Sequence, residues 1–159
     1  MKHFKLRTDL TIEICGKTLF RIEAKRNIEK FGVKKGELGG YVESEDNLSG
    51  NAWVSGDARV SGNARVFGDA WVYGEAWVYG DKIEKENDLI NITSNIGSYN
   101  ITITPKHIKI GCQYHSKTAW FNFTDDKIVK MDGERAVKWW KTWKPILKAI
   151  CDGLKGKKE

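Results

Sequence analysis

The chain has 159 residues, with 27 Lys or Arg against 21 Asp or Glu and a formal net charge of +6. That length allows a buried core without a disulfide framework, and 40% hydrophobic with 30% charged residues excludes wholesale disorder. No apolar run approaches the roughly 20 residues of a membrane helix, and the charged Met1 to Arg7 lacks the apolar stretch of a signal peptide. The expected compartment is therefore the cytosol, in which Cys15, Cys112 and Cys151 read as free thiols.

Residues 2–24 alternate apolar and polar positions on either side of Cys15-Gly16-Lys17, which predicts a β-hairpin. The glycine-rich stretch Phe31 to Gly40 then predicts a tight lead-in. No Gly-Lys-Ser/Thr follows to make it a phosphate loop. Residues 1–40 are read as this hairpin and lead-in.

The centre of the chain repeats every six residues. Gly50-Asn51-Ala52-Trp53-Val54-Ser55 is followed by GDARVS, GNARVF, GDAWVY and GEAWVY, ending at Tyr79. Val42, Leu48, Val54, Val60, Val66, Val72 and Val78 form one column, and Ala52, Ala58, Ala64, Ala70 and Ala76 another. Positions six apart drift around an α-helix and build no single face. In a strand, Ala and Val two apart share a face, and Gly-Asp or Gly-Asn supplies the turn. The repeat therefore predicts short strands turning corners, spaced about 4.8 Å from one coil to the next. The other strand face carries Trp53, Arg59, Arg65, Trp71 and Trp77, with Ser55, Ser61, Phe67, Tyr73 and Tyr79. An outward aromatic patch of this size predicts an interface, with cover by the chain's own flanking segments as the alternative. Trp53, Arg59, Arg65, Phe67, Trp71, Tyr73, Trp77 and Tyr79 are the candidate oligomer- or partner-binding residues.

Residues 82–88 read as a polar linker and 89–159 as an α+β module. Tyr99 to Thr104 and His107 to Ile110 predict a second hairpin with its turn at Pro105-Lys106. Ser116 is placed to cap a short helix carrying Trp120 and Phe121, and Thr124 another carrying Ile128 and Met131. A last helix starts near Gly133, with Ala136, Trp139, Trp140, Trp143, Ile146, Leu147 and Ile150 three or four apart. Pro145 is expected to kink or end it. Residues 127–158 hold ten Lys or Arg against three acids. Lys138, Lys141, Lys144 and Lys148 are candidate anion-binding residues, the plainer reading being a solvated face over an aromatic core.

The hexads over residues 41–81 resemble those of left-handed parallel β-helices. That resemblance implies three hexads per triangular coil, so that Val42, Val60 and Val78 stack, as do Leu48 with Val66 and Val54 with Val72. The implied fold class is mainly β: a short left-handed β-helix with an N-terminal hairpin cap and a C-terminal module of a hairpin plus helices. Members of that family are commonly trimeric, so a homotrimer is expected. Many are acyltransferases with a coenzyme A cleft and a catalytic His. His3, His107 and His115 lie outside the repeat, which has no extruded loop, so no catalytic residue and no cofactor is assigned. Cys112 and His115 lack a second ligand pair, so no metal is assigned either.

The lead-in KGELGGYVESEDNLSGNAWV with its hexads, and ITITPKHIKIGCQYHSKTAW with the helices after it, also resemble small proteins of phage and prophage accessory genes. This implies a non-enzymatic inhibitor of bacterial antiviral defence in the cytoplasm of an infected host. It would block a defence protein or CRISPR effector, or sequester a nucleotide signal. A hexapeptide-repeat acyltransferase-like enzyme and a virion structural protein are the alternatives.

Overall fold

The computed structural model describes residues 1–93 and 99–155. Strands β1 (Phe4–Ile14) and β2 (Lys17–Ala24) form an antiparallel hairpin, in register from Phe4↔Ala24 to Ile14↔Lys17 with a shift between Arg7 and Thr11. Cys15 and Gly16 connect them at φ 51° and 74°. Positive φ at both central residues matches the twist of the flanking strands, which suits a two-residue turn.

Strand β3 (Leu38–Val42) adds antiparallel to β2, through Phe20↔Val42 and Arg21↔Tyr41. The hexads then supply β4 (Trp53–Val54), β5 (Arg59–Ser61), β6 (Arg65–Val66), β7 (Trp71–Val72) and β8 (Trp77–Tyr79), with β9 (Lys82–Ile83) after them. Parallel pairing joins β3 to β5 and β5 to β8, through Val42↔Val60 and Val60↔Val78. It also joins β4 to β7, through Val54↔Val72, and β6 to β9.

The expectation of a left-handed β-helix is corrected by this pairing. The first sheet is mixed, in the order β1-β2-β3-β5-β8, and the remaining hexad strands lie in two separate two-stranded sheets. Two causes are local. The hairpin bonds antiparallel to β3, so one side of the repeat continues into the hairpin within a single mixed sheet instead of ending at a cap. On another side the partners are Arg65↔Lys82 and Val66↔Ile83, one residue short of the 18-residue spacing of the other pairs. Residues 82–88, read as a polar linker, thus contain a paired strand and a fully buried Ile83.

The Ala and Val columns are nevertheless buried from Ala52 to Val78, and they join Phe4, Ile22, Ile28, Trp53, Ile83 and Leu89 in one apolar cluster. At the lead-in, a Cβ on Gly39 would sit 2.4 Å from the Val54 carbonyl oxygen and 2.8 Å from the Trp53 ring. Only a residue without a side chain lets β3 approach β4 that closely.

The second half holds an antiparallel sheet of β10 (Ile90–Ile92), β11 (Ile101–Ile103), β12 (His107–Ile110) and β13 (Gln113–Ser116). Two helices follow, α1 (Lys117–Asn122) and α2 (Asp125–Lys155). The predicted hairpin is β11–β12; β10 and β13 flank it. The Ser116 hydroxyl accepts from the Ala119 amide and caps α1. Within α2 the backbone leaves helical angles at Asp132 and Gly133, where the last helix was expected to begin. Of the two outcomes expected at Pro145, an end to the helix is corrected: no other residue of α2, Pro145 included, leaves helical angles. Ile101, Ile103, Ile108 and Ile110 meet Trp120, Ile128, Trp140 and Leu147 in a second apolar cluster, separate from the first. No helix among the described residues is long and apolar enough to cross a membrane.

Candidate functional site

Alternation along the strands of the mixed sheet decides what its outer face presents. Val42, Val60 and Val78 point into the core, so Tyr41, Arg59 and Trp77 point away from it, as do Glu43, Ser61 and Tyr79. The outer residues pair across the sheet as Arg21↔Tyr41, Tyr41↔Arg59, Arg59↔Trp77 and Ser61↔Tyr79. Strand β13 of the second sheet stands over this face. Between them lies a cleft of about 450 Å³, lined by Ile14, Cys15, Lys17 and Leu19 of the hairpin, Ser61, Trp77 and Tyr79 of the hexads, and Cys112 to His115.

Aromatic rings and one cation frame this cleft. Tyr79 and Tyr114 meet edge to face with centroids 5.8 Å apart, and Lys17 Nζ lies 5.7 Å over the Tyr79 ring. Lys17 is anchored at 2.8 Å by both oxygens of Glu43, whose Oε2 also accepts from the Gly62 amide at 2.6 Å. These partners hold the Glu43 carboxyl below its ordinary range. Tyr79 remains 43% exposed, so its ring is open to a ligand. The Tyr114 hydroxyl donates to the Tyr79 carbonyl; burial, then the nearby Asp81 charge, pushes its ionisation far up, so it stays a neutral donor.

Behind the cleft the two sheets are joined by polar groups. Asp81 is 2% exposed, and its Oδ2 receives the Thr104 hydroxyl and lies 2.6 Å from His107 Nδ1 and 3.4 Å from the Tyr114 hydroxyl. Asp81 Oδ1 is buried with no hydrogen-bond partner among the described residues. The Trp77 amide donates to Thr102 Oγ1 at 3.4 Å, and Asn100 bonds Glu75. Lys109 Nζ lies 5.4 Å over the Trp77 ring and bonds the Gly111 carbonyl. Burial first, and the Arg59 cation second, lower the Lys109 pKa.

The aromatic residues expected to face outward do not share one surface. Trp53 is 1% exposed and corrects that expectation: the N-terminal segment folds over it, with the His3 ring 6.4 Å away and Phe4 in the same cluster. Trp71 is half-buried against Phe31 and donates to Ser55 Oγ at 2.8 Å; Tyr73, 5.6 Å from it, is 38% exposed. Trp77 and Tyr79 enter the cleft, Arg59 lies beside it, Phe67 is half-buried and Arg65 is exposed. The four lysines are also dispersed. Lys141 pairs with Asp125 and Lys148 with Asp152, each at 2.9 Å, and Lys144 lies over Trp140. Lys138 is exposed without an ion pair among the described residues.

Each histidine is engaged. His3 donates from Nε2 to the Ala52 carbonyl at 2.8 Å, His107 sits on Asp81, and His115 packs edge-on against Trp120 and Phe123. Cys112 is exposed, and it faces the cleft with the exposed Cys15. Among the described residues no group of three metal-binding side chains forms around Cys112 and His115.

Lys17, Asp81, Thr104 and Tyr114 escaped the sequence reading. Asp81 follows Gly80 just as Asp57 follows Gly56 and Asp69 follows Gly68, and those two aspartates are exposed. Only the tertiary fold separates Asp81 from them. No family model, curated protein or solved structure matches the chain.

Proposed function

We propose that this chain is a non-catalytic binding protein of the phage anti-defence type, holding a nucleotide in the cleft between the mixed sheet and β13. The observation that carries this reading is the lining of the cleft. Trp77, Tyr79 and Tyr114 surround a space of about 450 Å³ beside the Lys17 cation. That volume lies within the usual range for small-ligand pockets. Aromatic faces suit a planar base, and a cation near them suits a phosphate. Tyr114 Oη, which donates to the Tyr79 carbonyl, and the buried Ser61 Oγ, which accepts from Trp77 Nε1 at 3.1 Å, hold in place the rings that line this space.

Titration calorimetry with mono-, di- and cyclic nucleotides tests the reading. A saturable heat with one of them, reduced at least about tenfold in affinity by Tyr79→Ala, is the expected result. Absence of heat across the panel, or binding indifferent to Tyr79→Ala and Lys17→Gln together, rejects it.

A further inference from the structure

A row of cations and rings leaves the cleft and crosses the whole outer face of the mixed sheet. Its members are Arg7, Arg21, Tyr41, Arg59 and Trp77, each paired with the next on the neighbouring strand. Lys109 extends it past Trp77 from the second sheet. The Arg21 guanidinium lies 5.2 Å over the Tyr41 ring. Adjacent strands are about 4.8 Å apart, so the sheet itself sets the interval between neighbouring members, and cation and ring alternate from Arg21 to Trp77.

Three of these cations make no direct ion pair among the described residues, although Glu75 lies near enough to Lys109 to favour its charge. Glu23 is taken by Lys5 and Arg7, Glu43 by Lys17, and Glu75 bonds Asn100. Arg21 bonds only neutral groups, the Gly39 carbonyl and the Tyr41 hydroxyl. Arg21, Arg59 and Lys109 have no carboxylate ion pair among the described residues. Arg59 Nε is buried with no hydrogen-bond partner there, and Arg59 and Lys109 are close enough for one cation to depress the other. Placing like charges side by side, without a paired carboxylate, disfavours the empty face and favours an anion on it.

We propose that this row is a track for single-stranded nucleic acid, which enters the cleft with one base and runs its phosphates along Lys109, Arg59 and Arg21. The proposal rests on the nucleotide reading of the cleft and extends its ligand from a single nucleotide to a chain. A single strand is favoured over a duplex because its bases are free to meet Tyr41, Trp77 and Tyr79, whereas a duplex hides them. The half-buried state of Arg21, Tyr41, Arg59 and Trp77 leaves each partly open to solvent.

Fluorescence anisotropy with a labelled twelve-residue oligothymidylate, an equivalent duplex and thymidine monophosphate as competitor tests the track. The single strand is expected to bind more tightly than the mononucleotide and the duplex, with affinity falling as salt rises. Arg21→Gln and Arg59→Gln should each weaken it about tenfold and flatten the slope of log K against log salt by about 0.7. Arg21→Gln keeps the test valid if Arg59→Gln does not fold, since Arg21 is half-buried and gives up only its bonds to the Gly39 carbonyl and the Tyr41 hydroxyl. Equal affinity for duplex, or no gain over the mononucleotide, overturns the track while leaving the cleft reading intact. A slope flattened by Lys138→Gln on α2 and not by Arg21→Gln or Arg59→Gln also overturns it. Strand binding lost with Arg21→Gln yet untouched by Tyr79→Ala supports the track and rejects the base-in-cleft reading.

Discussion

Single positions in the first core leave no room. A methyl on Gly39 would meet Val54 O, Ile22 Cγ1 and the Trp53 ring, all within 2.8 Å. Gly39→Ala is therefore expected to lower stability by about 2–3 kcal/mol, read as a fall in the urea midpoint at unchanged slope. An unchanged midpoint would show that β3 and β4 are not packed as described. His3 gives a pH signature. Burial lowers its pKa, and that of the half-buried His115, below the ordinary value of about 6.5. Below that value the unfolded chain binds protons that the folded chain refuses, so stability is full above pH 6.5 and is lost as pH falls toward the folded pKa. His3→Gln should flatten the stability profile as pH falls below about 6.5; a profile as steep as wild type would contradict the assignment. What the sequence made legible at this scale was the identity of the core columns. What it hid was cover: Trp53 and Trp71 hold the same place in their hexads, yet only Trp53 lies beneath His3 and Phe4.

Among elements, those set by local chemistry were readable. The Cys15-Gly16 turn, the Ser116 cap and the six-residue strand period each depend on a few adjacent residues. Each hexad turns on a glycine at positive φ, as at Gly62 with φ 62°, where a Cβ would also meet the Tyr79 ring at 2.4 Å. Strands β9, β10 and β13 were not readable: each is only two to four residues long, and β9 pairs with β6 seventeen residues earlier in the chain. Helix α2 supplies the sharpest test. Pro145 is exposed, lacks an amide hydrogen, and sits in continuous helix. Pro145→Ala is expected to restore one helical hydrogen bond and raise stability by about 2 kcal/mol, seen as a higher midpoint in thermal or urea unfolding. A lower midpoint would mean that the proline ring makes contacts which outweigh the missing bond.

Across the whole molecule, two apolar cores meet through hydrogen bonds centred on Asp81, Thr102, Thr104 and Tyr114. Such an arrangement favours separate unfolding of the two halves. Asp81→Ala should cost about 1–3 kcal/mol by leaving Thr104 and His107 without their buried acceptor, and should split or widen the calorimetric transition. A single sharp transition at the wild-type temperature would refute that role for Asp81. The sheet order of the first half could not be anticipated from the repeat, since the hexads specify their own neighbours but say nothing of the hairpin that continues β3. The polar seam has one more effect. Greasy surfaces slide over one another at little penalty, whereas bonds that need both length and angle accept few offsets. The spacing between Tyr79 and Tyr114 is therefore held by directed bonds and not by apolar contact alone.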